Sequence, residues 1–337
     1  LLRRLGELCD RYLPGRKLAV ISDERVALAI GLPIDAPQFT FPAGEASKSR
    51  DTWARLTDSL VERSFGRDSA VVSVGGGVTG DLAGFVAATF LRGVPWLQVP
   101  TTLLAMLDAA VGGKTGVDTA GGKNLVGAFH QPAAVVMDPA VLATLPASEF
   151  RNGLAEAVKH ATILDPVHFS WLGAAVGPVL GRDARTIEVL LRRNVAIKTE
   201  VVQRDEHETG RRAILNAGHS IGHAIESASG FAVSHGEGVA IGLVVEAAVG
   251  ERLGITEAGT SREIATLLDR LGLPMRIPSG VSVDDVMTAL RNDKKNRGSA
   301  IRLVLLSRVG TVYGSDQAGW TVATPENLIR EVIEARN

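Results

Sequence analysis

From Lys17 to about Leu145, short apolar and β-branched runs alternate with stretches of helical period: LAVIS, Asp51 to Arg63, AVVSV, Asp81 to Leu91, WLQVP and AVVMD. That alternation predicts a parallel sheet covered by helices. From Glu149 to about Leu290 the period becomes helical and strand signals almost vanish, as in Thr186 to Gln203, Arg212 to Ser229 and Gly236 to Leu253. The second half therefore reads as mostly α, with one late strand pair at AIRLVLL and VGTVYG. Pro146 opens a turn-prone PAS and marks the boundary. The expectation is a Rossmann-like α/β domain over residues 1–147 and a mainly α-helical domain over 148–337. The opening LLRRLGELCDRYL has the charge of an amphipathic helix, not a signal peptide's apolar core, and it begins without methionine. A preceding segment carrying the leading strands is expected.

With 337 residues, 45% hydrophobic and 22% charged, the chain is long enough for two cores. A net charge of -1 and a pI near 6.7 supply no global basic field, which argues against nucleic acid or anionic membrane as the main partner. Small molecules are expected. Cys9 alone excludes an intrachain disulfide framework, and no apolar stretch approaches the ~18 residues that span a bilayer. A reducing, cytoplasmic setting follows as the expectation.

Gly75, Gly77 and Gly80 in GGGVTGD follow a strand and open a helix. Glycine lets amides approach a pyrophosphate, and a helix N-terminus adds partial positive charge. The pattern lacks the acidic residue about 20 positions on that a dinucleotide fingerprint has, so it implies a nucleotide held in a non-standard mode. Asp81 reads otherwise as a first-turn acid. Further on, Arg212, Asn216, His219, His223 and Glu226 are spaced to share one face of a single helix, opposite Ile214, Leu215, Ile221 and Ile225. His219 and His223 stand at i, i+4, where two imidazoles reach one cation, and His235 follows in SHGEG; Glu156, with Lys159 and His160, makes a second polar stripe. These donors suffice for zinc with an open position, although spacing does not choose three ligands from the four. His130 and His168 lie in loop-like contexts and His207 in a charged run, so none of them reads as a ligand. In AVGGKTGVDTAGGKN, Lys114, Lys123 and Asn124 occupy a glycine-rich segment suited to phosphate or polyhydroxyl groups, and Arg92, Lys198, Arg212, Lys294 and Lys295 add scattered positive charge.

The strings PAGEASK, GGGVTGDLAGF, LRGV, VPTTLLA with Asp108, GGKTGV, GKNLVGAFHQP, TLP, GLAEAVKH, LNAGHSIGHAIE, HGEGVAIG and DKK, in this order, resemble the 3-dehydroquinate synthase family over nearly the whole chain. The resemblance implies a sugar phosphate cyclase. It assigns Glu156, His219 and His235 to zinc or cobalt, and leaves His223 as a catalytic or substrate-contacting histidine. Glu45, Lys48, Gly76, Gly77, Asp81, Thr101, Thr102, Lys123 and Thr144 would line an NAD site, with Asp23 near the adenosine ribose. Asp108, Lys114, Asn124, Lys159, Lys198, Arg212, Asn216 and the pair Lys294 and Lys295 would hold a phosphorylated sugar acid. Arg92 would reach the phosphate of a neighbouring subunit's substrate in a homodimer.

The implied chemistry oxidises a ring hydroxyl by hydride transfer to NAD, with the metal as Lewis acid, then eliminates phosphate, returns the hydride and closes the ring as an aldol. Lys159, Lys198, Arg212, Asn216 and His223 would orient substrate and move protons. Arg211 and Asp118 depart from the family pattern. The rival readings are an aminodehydroquinate synthase or another cyclase of the superfamily and, from another reaction class, a metal-dependent dehydrogenase of the glycerol type. The lysine-rich GGKTGV and GKN segments argue against the last.

Overall fold

Strand β1 (Lys17–Asp23) is apolar on both faces, a pattern stable only where helices cover both sides of a sheet, and its last five residues are buried. The computed structural model describes residues 1–31, 34–292 and 300–336. These fall into two units, Leu1–Pro146 and Ala147–Asn337.

In the first unit, α1 (Leu5–Tyr12) precedes β1, followed by α2 (Glu24–Ile30), β2 (Gln38–Phe41), α3 (Arg50–Glu62), β3 (Ser69–Gly75), α4 (Gly77–Thr89) and β4 (Trp96–Pro100). A hairpin of β5 (Lys114–Thr119) and β6 (Gly122–Phe129) leads to β7 (Ala134–Val135). The sheet is parallel, in the order β2-β1-β3-β4-β7. Chain direction across it reverses between β1 and β3, the place where doubly wound sheets bind ligands beyond their strand ends. Asp23 and Gly75 stand there. The short edge strand β2 escapes the hydrophobic pattern because only alternate residues of QFTF are buried. Helix α4 starts one turn before the expected Asp81, at the glycines. Built Cβ atoms at Gly80 and Gly84 would lie 2.3 Å from Gln98 and 2.9 Å from Trp96, so their absence lets the helix settle onto β4. The glycine-rich lysine segment is the hairpin itself, and Gly116 faces Gly127 across it.

The second unit contains α5 (Ala147–Leu164), α6 (Pro166–Ala174), α7 (Val176–Leu180), α8 (Ala184–Arg204), α9 (His219–Ala228), α10 (His235–Arg252), α11 (Thr260–Arg270) and α12 (Val283–Asn292). After these come β8 (Ile301–Leu303), β9 (Leu306–Arg308), β10 (Thr311–Val312), β11 (Val322–Thr324) and α13 (Glu326–Glu334). Ile221, Ile225, Ile241, Val245, Met287 and Ile329 anchor its core. Among the described residues no helix is long and apolar enough to cross a membrane.

Three expectations need correction. The helix read from Arg212 to Ser229 is broken: Arg211–Asn216 is a 3-10 turn, Gly218 is left-handed at φ 78°, and α9 starts at His219. A left-handed residue ends α-helical propagation, so Arg212 and Asn216 do not share the histidines' helical face. The late strands pair as β9 with β10 and β8 with β11, because AIRLVLL is divided between two ladders. His168 lies on α6 and is fully buried, not in a loop.

His168 Nε2 accepts from Asn194 Nδ2 at 2.9 Å, and its ring stacks on Trp171 at 5.4 Å. Burial pushes its pKa down from 6.5 to about 4. Between those values the unfolded chain takes up a proton that the folded ring refuses, so stability falls as pH drops. At pH 5 the expected loss is ~2 kcal/mol. Urea denaturation at pH 7 and pH 5, for the parent and His168→Gln, checks this: the parent should lose about that much more stability on acidification than the variant. Parallel losses contradict it.

Candidate active site

The densest cluster of metal donors in the second unit joins α5, α9 and α10. Glu156 lies mid-helix on α5, fully buried, while His219 and His235 are the first residues of α9 and α10. The two oxygens of Glu156 are divided. Oε1 is 3.6 Å from His219 Nε2 and 3.4 Å from His235 Nε2, whereas Oε2 is ion-paired with Lys159. On the far side of each ring, His219 Nδ1 donates to Ala217 O at 3.2 Å and His235 Nδ1 to Glu226 Oε1 at 3.0 Å. A partner on Nδ1 sets the tautomer and leaves Nε2 as the coordinating atom. Both Nε2 atoms therefore face one carboxylate oxygen.

Burial, reinforced by the Lys159 ammonium, holds His219 well below its ordinary pKa, so it is a neutral donor. Burial opposes charge on His235 as well, but Glu156 and Glu226 outweigh it and raise the pKa to about 10. A cation would replace that proton. Glu156, His219 and His235 have ligand atoms within 4.8 Å of one another, as do His223, Glu226 and His235. One carboxylate and two imidazoles form an N/O set suited to zinc or cobalt, with coordination positions left for substrate or water.

Close helix contact makes this cluster possible. Gly218 and Gly222 on one side meet Gly238 and Gly242 on the other: a Cβ on Gly242 would lie 1.9 Å from Gly218 O, and one on Gly222 2.8 Å from Gly238 C. Only paired glycines let these backbones approach so closely, and the two imidazole centroids are 5.2 Å apart. His223, one turn along α9, is exposed, with its ring 5.2 Å from that of His219.

Lys159, Lys198 and Arg212 are buried cations of this unit. Arg212 Nη1 donates to Glu206 O at 2.6 Å, and its backbone N–H to Asp205 Oδ2 at 2.8 Å. Asn216 Nδ2 reaches Glu208 Oε1 at 3.4 Å. Lys294 and Lys295 lie outside the described residues. The sequence placed Glu226 on the histidines' polar stripe without linking it to His235, and gave no role to Asn152 or Glu246; all three contact the ligand-bearing helices. The signal available for Asn152 was its place one helical turn before Glu156.

In the first unit, Gly76 is the N-cap of α4 and supplies no capping side chain. Asp23 caps α2 through Val26 N–H at 3.0 Å and accepts from Thr79 Oγ1 at 3.2 Å, which ties the end of β1 to the first turn of α4. Lys48 and Asp81 pair at 2.5 Å; burial would lower the Lys48 pKa, but Asp81 outweighs it and raises it. Glu45 and Lys123 lie 3.6 Å apart. Thr101 N–H donates to Gly75 O at 2.9 Å, and the Thr102 side chain would meet a Cβ on Gly76 at 3.1 Å. Thr144 is exposed, on a 3-10 turn. Asp108 lies in a π-helical turn, Ala105–Ala109, and Lys114 opens β5. Asp118, one of the two departures, accepts from the Asn124 N–H at 2.8 Å and holds that residue at φ 54°. Arg92 is exposed at φ 69°.

The family model described as 3-dehydroquinate synthase N-terminal matches residues 38–152, and the one described as 3-dehydroquinate synthase C-terminal matches 153–296. The chain is 46% identical over 323 residues to a 3-dehydroquinate synthase of Symbiobacterium thermophilum, covering 93% of this chain and 90% of the relative. Among solved structures it is similar to 2-deoxy-scyllo-inosose synthase complexed with carbaglucose-6-phosphate, NAD+ and Co2+. That match has a TM-score of 0.91, 27% identity, and covers 100% of this chain and 95% of that one. It is also similar to the 2-epi-5-epi-valiolone synthase of Streptomyces hygroscopicus with NAD+ and Zn2+ bound, with a TM-score of 0.84 at 27% identity, covering 95% of this chain and 90% of that one.

Gly242→Ala puts a methyl against the Gly218 carbonyl. Overpacking of this kind costs about 1–3 kcal/mol. Urea denaturation of the variant should show that loss, and unchanged stability would mean that the helices separate freely.

Proposed function

The chain belongs to the 3-dehydroquinate synthase family, and from that premise we propose how its residues divide the labour of the family's reaction. The reaction is a lyase step of the shikimate pathway, in which 3-deoxy-D-arabino-heptulosonate 7-phosphate yields 3-dehydroquinate and phosphate. Glu156, His219 and His235 hold a divalent metal, zinc or cobalt. The observation that carries this choice is the convergence of two Nε2 atoms on Glu156 Oε1, with each Nδ1 already engaged. The competing triple would take Glu226 away from the nitrogen it orients and would use the exposed His223. When bound, the metal supplies a Lewis acid and NAD a reversible hydride acceptor.

The rest falls to side chains. Lys159 keeps Glu156 Oε2 engaged, so that Oε1 is the ligand atom. Lys198 and Arg212 present buried positive charge to an anionic substrate, and Asn216 orients hydroxyls. His223, exposed beside the ligand rings, moves protons. In the first unit the Gly76 and Gly77 amides at the start of α4 receive the NAD pyrophosphate, and Asp23 at the end of β1 faces the adenosine ribose. Glu45, Lys48, Asp81, Thr101, Thr102, Lys123 and Thr144 line the same cofactor. Arg92, Asp108, Lys114 and Asn124 carry the family likeness for substrate. The working unit is taken as a cytoplasmic homodimer.

Phosphate release from 3-deoxy-D-arabino-heptulosonate 7-phosphate, with trace NAD and zinc, is the test. Release far beyond the NAD supplied, abolished by chelator and leaving no lasting NADH, is expected. No release from folded, metal-loaded protein moves the reading to a sister cyclase, and NADH in proportion to product moves it to a dehydrogenase. His223→Ala should lose about 100-fold or more in turnover while still binding metal; full turnover would remove its proton-transfer role.

A further inference from the structure

His219 and His235 share an awkward position: each is the first residue of its helix, where backbone N–H groups have no partner within the helix and the turn is prone to fray. A ligand there is only as well placed as its helix start. On α10, the Gly236 N–H donates to Asn152 Oδ1 at 2.5 Å, and Asn152 stands one turn before Glu156 on α5. That amide is two residues past the N-cap Ser234, where a helix's own capping side chain commonly bonds. Space there is so tight that a Cβ on Gly236 would lie 2.1 Å from Asn152 O.

On α9 the N-cap is Gly218, which has no side chain with which to cap. Its N–H donates instead to Glu246 Oε2 at 2.7 Å, and Ile221 N–H lies at a longer 3.5 Å from Oε1. Glu246 is only 2% exposed and sits about three turns beyond His235 on α10. A buried carboxylate aimed at the positive end of a helix is favourably placed. The start of α9 thus rests on a side chain borrowed from α10, and that of α10, beside its own capping box of Ser234 and Glu237, on one borrowed from α5.

We infer that Asn152 and Glu246 are positioning residues that set metal affinity, by locking the starts of α10 and α9 so that His235 and His219 face Glu156. This rests on the ligand set proposed above. Outer contacts that orient ligands typically change metal affinity by about 10–100-fold when removed.

The test is cobalt(II) titration of the full, metal-stripped chain against a competing chelator, following the visible spectrum of the bound ion, with circular dichroism and urea denaturation alongside. Asn152→Ala and Glu246→Ala should each remain folded, bind one cobalt about 10–100-fold more weakly and shift its spectrum. Asn152→Asp and Glu246→Gln keep an acceptor oxygen and should recover most of the affinity, which also covers the case of an alanine variant that fails to fold. His219→Ala is the control for the ligand set. If it loses cobalt while the Asn152 and Glu246 variants keep parental affinity, even with lowered stability, the positioning role is overturned and the ligand set stands. If His219→Ala binds cobalt normally, the ligand set fails and this inference fails with it.

Discussion

The approach of α9 to α10 through four glycines is the constraint on which the metal centre depends. With Gly218 O so close to Gly242, any β-carbon there would move one helix away from the other. Two imidazoles at the starts of separate helices can serve one cation only when those starts are fixed to within a fraction of an ångström. Glycine supplies the proximity, and it removes the side chains that would normally cap α9. Glu246 fills that gap from the neighbouring helix.

Electrostatics in the same place follow from burial. A fully buried Glu156 requires counter-charge, and Lys159 one turn away provides it on one oxygen while leaving the other to face the two rings. Neutral His219 and carboxylate-held His235 show how neighbours set two identical side chains apart. The first unit works on a separate principle: glycines bare the amides of α4, and the reversal of strand order brings Asp23 beside them.

Much of this was legible in the sequence. Strands β1, β3 and β4 were continuous apolar runs, and α3, α8 and α10 followed a helical period closely. The histidines stood out by spacing, and Glu156 through its polar stripe. What was not legible depended on contacts between elements. The break at Gly218 was invisible because the polar stripe from Arg212 to Glu226 kept a helical period across it. Strand β2 was too short and too exposed on alternate residues to register, and the β5–β6 hairpin was hidden by glycines that read as a phosphate loop. His168 looked like a loop residue because Asp165 and Pro166 precede it, although these are the cap and first turn of α6. Asn152 and Glu246 were ordinary polar residues on helices, and Glu226, although on the polar stripe, gave no sign of its bond to His235; these roles appear only when the neighbouring helix is in place.

The central claim is that one cation is held by Glu156, His219 and His235, with the remaining donors serving to aim them. Anomalous diffraction at the metal edge, from crystals of the zinc- or cobalt-loaded protein, tests it most directly. The account predicts a single peak about 2.0–2.2 Å from Glu156 Oε1 and from both Nε2 atoms. A peak bound instead to His223, Glu226 and His235 Nδ1, or one that Glu156 does not reach, would contradict it.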